Sequence, residues 1–152
     1  MPSKINRTRA VAEAYPATIY SPPRIPDLSR AEERRRLSPG ALRAFFNIMK
    51  RWEVRDEDAR QLLGEVSNGA YYLWKQKATK TLEQDRLTRI SYLIGIFKSL
   101  NILYGTTLAD QWIRLPNSNP LFEGHTPLDY MLRGGTQAMQ IVRQLLDARR
   151  GG

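Results

Sequence analysis

The chain has 152 residues, enough for one domain or two small ones with a real core, and its 41% hydrophobic content is slightly low for a globular protein. It contains no cysteine, which excludes a disulfide scaffold and a thiolate metal site, and it has no apolar run long enough to span a bilayer. Its 24 Lys and Arg against 15 Asp and Glu give a net charge of +9, which suits a polyanionic partner as well as it suits plain solubility.

That charge is unevenly placed. Residues 1–36 hold eight basic and four acidic groups, residues 37–105 eleven and seven, and residues 106–152 five and four. A basic first two-thirds and a near-neutral last third point to different partners for different parts.

Residues 1–36 read as a basic, Pro-containing and partly disordered segment, because Pro16, Pro22, Pro23 and Pro26 interrupt any helix. Nothing there has the continuous apolar core of a secretory signal, so a cytoplasmic protein is expected. Within "DLSRAEERRRL", Ser29 and Glu32 have capping-box spacing and predict one short helix. The arginine run 34–36 suits either solvent or a phosphate backbone.

A second helix is predicted in "SPGALRAFFNIMKRWEV", with Ser38 as N-cap and Pro39 where a missing N–H costs nothing. Leu42, Phe45, Phe46, Met49 and Trp52 then form its apolar face. "DEDARQLLG" starts with acids that favour a helix N-terminus and stops at Gly64, and Ser67 opens "SNGAYYLWKQK". Thr81 and Gln84 form another capping box before a long helix carrying Leu87, Ile90, Leu93, Ile94, Phe97 and Leu100, which stops near Gly105. "TLADQWIRL" ends at Pro116. "TPLDYMLRG" has Thr126 as N-cap and Pro127 at the first helical position, and Thr136 opens "TQAMQIVRQLLDARR". No alternating β-branched run interrupts this series, and the fold class is all-α.

Residues 56–63 and 67–77, joined by a tight turn, have the layout of a helix-turn-helix within a DNA-binding domain over residues 37–105. The second helix of such a unit must present small or polar groups to base edges, with cations nearby for phosphate. Tyr71 and Trp74 are expected to pack inward, leaving Ser67, Asn68, Tyr72, Lys75, Gln76 and Lys77 as the DNA-binding set. Any helical hairpin can imitate this layout. Dimerisation is expected, since a single unit gains too little contact for tight specific binding, and the helices at 38–54 and 81–104 have apolar surface to spare.

The stretches "RDEDARQLLGEVSNGAYYLWK" and "LADQWIRLPNSNPLFEGHTPLDYMLRGG" resemble the Xre/MbcA/ParS antitoxins over roughly residues 40–150. The family pattern falls on Trp112, Pro116 with Asn117, Leu121, Gly124, and then Thr126, Pro127 and Leu128. Two features depart from it: a longer, more basic N-terminal segment, and Glu65, an extra residue in the turn.

The resemblance implies a helical toxin-binding domain over residues 106–152 and a cognate RES-domain toxin that consumes NAD. It implies an antitoxin that covers the toxin's active site and represses its own operon from operator DNA, as a homodimer with no cofactor and no membrane contact. The toxin-binding residues would be Leu121, Phe122, Arg133, Arg149, Arg150, Gly151 and Gly152, the last four forming a flexible cationic tail suited to a site built for a diphosphate. A stand-alone repressor without a toxin, or an adaptor binding only protein, would use the same helices. The single histidine, His125, leaves no His-based metal site or catalytic triad, and no enzyme is expected.

Overall fold

The computed structural model describes residues 25–151. Residues 1–24 and Gly152 lie outside that range, and with them most of the segment expected to be disordered and the last assigned tail residue. The described residues form six α-helices and one 3-10 turn with no strand, so the all-α reading holds. The helices are α1 (Ala31–Arg51), α2 (Asp56–Leu62), α3 (Asn68–Gln76), α4 (Gln84–Tyr104), α5 (Thr106–Trp112) and α6 (Pro127–Gly151). The 3-10 turn spans Pro120–Phe122 between α5 and α6.

Helix α4 is the hub, packing against α1, α5 and α6, while α6 also touches α2 and α1 touches α3. Its buried side chains Leu87, Ile90, Leu93, Ile96 and Leu100 meet Leu42, Phe45 and Trp52 of the α1 region and Met139, Val142 and Leu146 of α6 in one core. The core therefore runs without a gap past residue 105. Gly105 ends α4 at φ 74°, a left-handed conformation that glycine adopts without steric cost.

Two local expectations yield to tertiary contacts. The short helix at Ser29 and the helix capped by Ser38 are one continuous helix, α1, with Pro39 inside it. Ser29 instead bonds Asp27, and Ser38 is fully buried in mid-helix. The Ser38 hydroxyl donates to the Arg34 carbonyl at 2.6 Å and accepts the Leu82 N–H at 2.8 Å. Pro39 has no N–H to give to the Arg35 carbonyl, and the Ser38 hydroxyl adds a side-chain bond to Arg34 in the same turn. The capping box at Thr81 does not form: α4 starts at Gln84, its N-cap is Glu83, and no side chain caps it. The Leu82 side chain is buried and its backbone is pinned to Ser38, which moves the helix start past Thr81.

Helix α6 contains a break. Gly135 sits at φ 63°, ψ −142° and separates residues 127–134 from 136–151, as the paired glycines suggested. The first segment approaches α2, where Gln61 Nε2 donates to the Leu132 carbonyl at 2.9 Å. The second lies along α4, where the buried Ser99 hydroxyl donates to Asp147 at 3.0 Å.

Candidate functional site

The turn between α2 and α3 sets the geometry of the exposed face. Leu63 and Val66 are buried within it, while Gly64 and Glu65 both take positive φ, 99° and 57°. The extra residue is thus absorbed as a second left-handed step, and α3 keeps its inward-facing pair in register. Two arginines hold the turn: Arg60 Nε donates to the Val66 carbonyl at 2.9 Å, and Arg86 of α4 donates to the carbonyls of Leu63 and Gly64 at 3.1 and 3.2 Å. Arg86 lies 23 residues from Leu63, and no local pattern announces its role.

Helix α3 begins at the residue expected to cap it. The Ser67 hydroxyl accepts the Ala70 N–H at 3.3 Å, so Ser67 is occupied as a cap. Tyr71 and Trp74 are buried, as their three-residue spacing implies. Tyr71 stacks edge-on against Phe46 of α1 at 5.4 Å, and Arg86 lies 5.7 Å over the Trp74 ring. The helix is therefore fixed on three sides by α1, α2 and α4. Outward lie Asn68, Gly69, Tyr72, Leu73, Lys75 and Gln76, followed by Lys77. Leu73 is 57% exposed, an apolar group on this face that the sequence reading missed.

Lys75 is not a free cation. Its Nζ lies 3.0 Å from Asp56 Oδ1 at the start of α2, and the same carboxylate accepts the Tyr71 hydroxyl at 2.6 Å and the Tyr72 hydroxyl at 3.3 Å. Tyr71 and Lys75 hold the Asp56 carboxyl below the usual carboxylate range, while burial and this hydrogen bond push the Tyr71 phenol up. Lys77 and Lys80 are exposed beyond the helix.

The second candidate surface lies in the connection from α5 to α6. Phe122 is buried edge-on between Trp112 at 6.0 Å and Tyr130 at 5.4 Å. It pins the loop and presents no surface to a partner, so its place among the contact residues is withdrawn; Leu121 beside it is half-buried. Asn117 Oδ1 accepts the Asn119 N–H and Asn119 Oδ1 accepts the Leu121 N–H, both at 2.9 Å, so the asparagines shape the turn from within. Glu123 and Gly124 follow at φ 50° and 82°. Thr126 then caps α6 by accepting the Asp129 N–H at 3.0 Å, and Leu128 N–H reaches back to the Ile113 carbonyl at 2.9 Å. His125 sits in the loop with Nδ1 at 3.5 Å from Asp129.

Arg133 is exposed and pairs with Asp129 at 3.2 Å. Arg149, Arg150 and Gly151 belong to the last turn of α6, so the expected flexible tail is helical as far as it is described. Arg149 Nη1 donates to the Tyr104 hydroxyl at 2.9 Å and Arg150 Nη1 to the Ser99 hydroxyl at 3.3 Å. Both cations rest on α4 while remaining exposed, and they lie far along α6 from Arg133. Three exposed apolar side chains lie in this part of the chain: Ile102 near the end of α4, Leu108 in α5, and Leu115 in the loop that follows.

Among the described residues no helix is long and apolar enough to cross a membrane. Residues 99–152 match the model of the antitoxin Xre/MbcA/ParS C-terminal toxin-binding domain. The protein named y4oB from Sinorhizobium fredii is 43% identical over 115 residues, covering 75% of this chain and 87% of that protein.

Proposed function

The chain belongs to the Xre/MbcA/ParS antitoxin family, and from that premise we propose how its two halves divide the work. An antitoxin acts by binding and is not an enzyme; its partner is a cognate toxin, bound by the C-terminal domain. That toxin, on our reading, is of RES type and consumes NAD, and this chain covers its active site. Helices α2 and α3 bring the protein, as a cytoplasmic homodimer, to operator DNA of its own operon, which it represses.

The observation that carries this reading is a juxtaposition in one body. A domain matched as toxin-binding packs on a helix-turn-helix arrangement whose second helix turns a polar face outward. Asn68, Tyr72 and Gln76 have the side chains that read base edges, and Lys77 and Lys80 stand where phosphates would lie. In the other half, Arg149, Arg150 and Arg133 supply cations for the diphosphate-binding surface of a NAD-consuming enzyme, with Leu121 and Gly151 beside them.

The test is growth and cellular NAD on expressing the adjacent open reading frame with and without this protein. Collapse of both, reversed by this protein, is expected. A harmless neighbour removes the toxin assignment. Deleting residues 148–152 leaves Leu146, the last buried residue of α6, in place and is expected to abolish neutralisation while sparing the fold. Full neutralisation by that truncate removes the arginine pair from the contact.

A further inference from the structure

Asp56 is an unusual residue to find beside a surface that meets DNA. A carboxylate there repels phosphate, yet it stands against α3 and collects three donors from that helix. One of them, the Tyr71 hydroxyl, is a buried group whose bond fixes α3 to α2. The other two, the Tyr72 hydroxyl and the Lys75 ammonium, are exposed side chains of the face that would meet DNA. Lys75 also lies 5.9 Å from the Tyr71 ring centroid, a second attraction holding its ammonium in place.

We propose that Asp56 is a specificity-determining residue: its carboxylate engages the Lys75 ammonium and the Tyr72 hydroxyl, withholding Lys75 from non-specific phosphate contact and positioning Tyr72. This rests on the DNA-binding reading of α3. The physical basis is that cations on phosphate supply nearly all of non-specific affinity and carry no sequence information. A lysine neutralised in advance adds little to that background. A tyrosine tethered at its hydroxyl loses less rotamer freedom when it docks, so the correct site gains where an incorrect one does not. Asp56 acts through Tyr72 and Lys75 and is a positioning residue.

The test compares Asp56→Asn with the unaltered protein on two duplexes, one from the promoter region directly upstream of this protein's own gene and one scrambled at equal length and composition. Binding is measured across a salt series. The variant is expected to bind the scrambled duplex about tenfold more tightly at low salt, with a log–log salt slope steeper by about one, the signature of one added phosphate contact. Affinity for the promoter duplex is expected to change less than about threefold, so selectivity falls.

An unchanged selectivity ratio, with the unaltered protein still selective, overturns the assignment of Asp56 alone. If the unaltered protein prefers neither duplex, the DNA-binding reading itself fails, and this assignment with it. Tyr71→Phe separates fold from function: it removes the buried bond but leaves the carboxylate and Lys75, and is expected to lower Tm without moving the ratio. Equal movement of the ratio in both variants means that Asp56 is merely structural.

Should Asp56→Asn fail to fold, Lys75→Gln gives the answer in the otherwise unaltered protein. A salt slope on scrambled DNA within about half a unit of the original supports the proposal; a slope shallower by about one shows Lys75 already on phosphate and overturns it.

Discussion

The α2–α3 unit and the α5–α6 connection use their distinctive residues in opposite ways. In the first, the residues that name the motif face outward, and the packing that supports them comes from Phe46 and Arg86 elsewhere in the chain. In the second, signature residues turn inward: Trp112 and Pro127 are buried and Asn117 is bonded to neighbouring backbone, with the buried Phe122 between them. A family pattern of the second kind marks scaffold. The surface proposed to meet the toxin lies instead in less patterned residues, such as Arg133 and Arg149.

The contrast can be broken by mutation. Phe122→Ala removes the centre of the edge-on aromatic stack and is expected to cost about 3–5 kcal/mol. For a chain of this size that lowers Tm by roughly 10 °C, measurable by thermal denaturation. If Phe122→Ala kept full stability and lost toxin binding, Phe122 would be a contact residue and the scaffold reading of the loop would fall. Ser38→Ala leaves the buried Leu82 N–H without its acceptor and is expected to cost about 2 kcal/mol by urea denaturation. Gly124→Ala places a Cβ at φ 82° where no neighbour lies within reach, so its cost of roughly 1 kcal/mol is purely conformational.

Asn68→Ala sharpens the other side of the contrast. It should leave stability within about 0.5 kcal/mol while relaxing sequence preference on promoter DNA, measured by competition with scrambled duplex. The smallest expected effect concerns pH. The Asp56 carboxyl is lowered by its bond to Tyr71 and by Lys75, so its contribution to stability is present above its unfolded value, near 4, and is lost as pH falls through the lower folded value. Asp56→Asn is expected to flatten that acid limb, seen as a smaller change in urea midpoint between neutral and acid pH.

Much of the fold was legible because helical periodicity and the caps at Ser67 and Thr126 are local signals. The failures share one cause. Ser38 and Thr81 both look like caps, but the Ser38 hydroxyl is taken by Arg34 and Leu82, a partner 44 residues away, and that contact decides where α4 starts. At the α3 face, exposure followed from the inward pairing of Tyr71 and Trp74, whereas the Asp56 clamp joins groups 15 to 19 residues apart and left no mark on local pattern. At Leu121 and Phe122, a large apolar residue in a loop can either pin it or face a partner, and spacing does not distinguish the two uses. The burial of Phe122 against Tyr130 depends on how α6 folds back.

The Gln61–Leu132 hydrogen bond joins α2 to the first segment of α6, close to the break at Gly135, where helix carbonyls lack partners of their own. If α2 and α3 serve DNA and α6 serves the toxin, as proposed, it is a strut shared by the two surfaces. On that proposal, a toxin that shifts this segment would strain or free the orientation of α2, and thermodynamic linkage would make the exchange symmetric: the factor by which toxin changes affinity for DNA would be the factor by which DNA changes affinity for toxin.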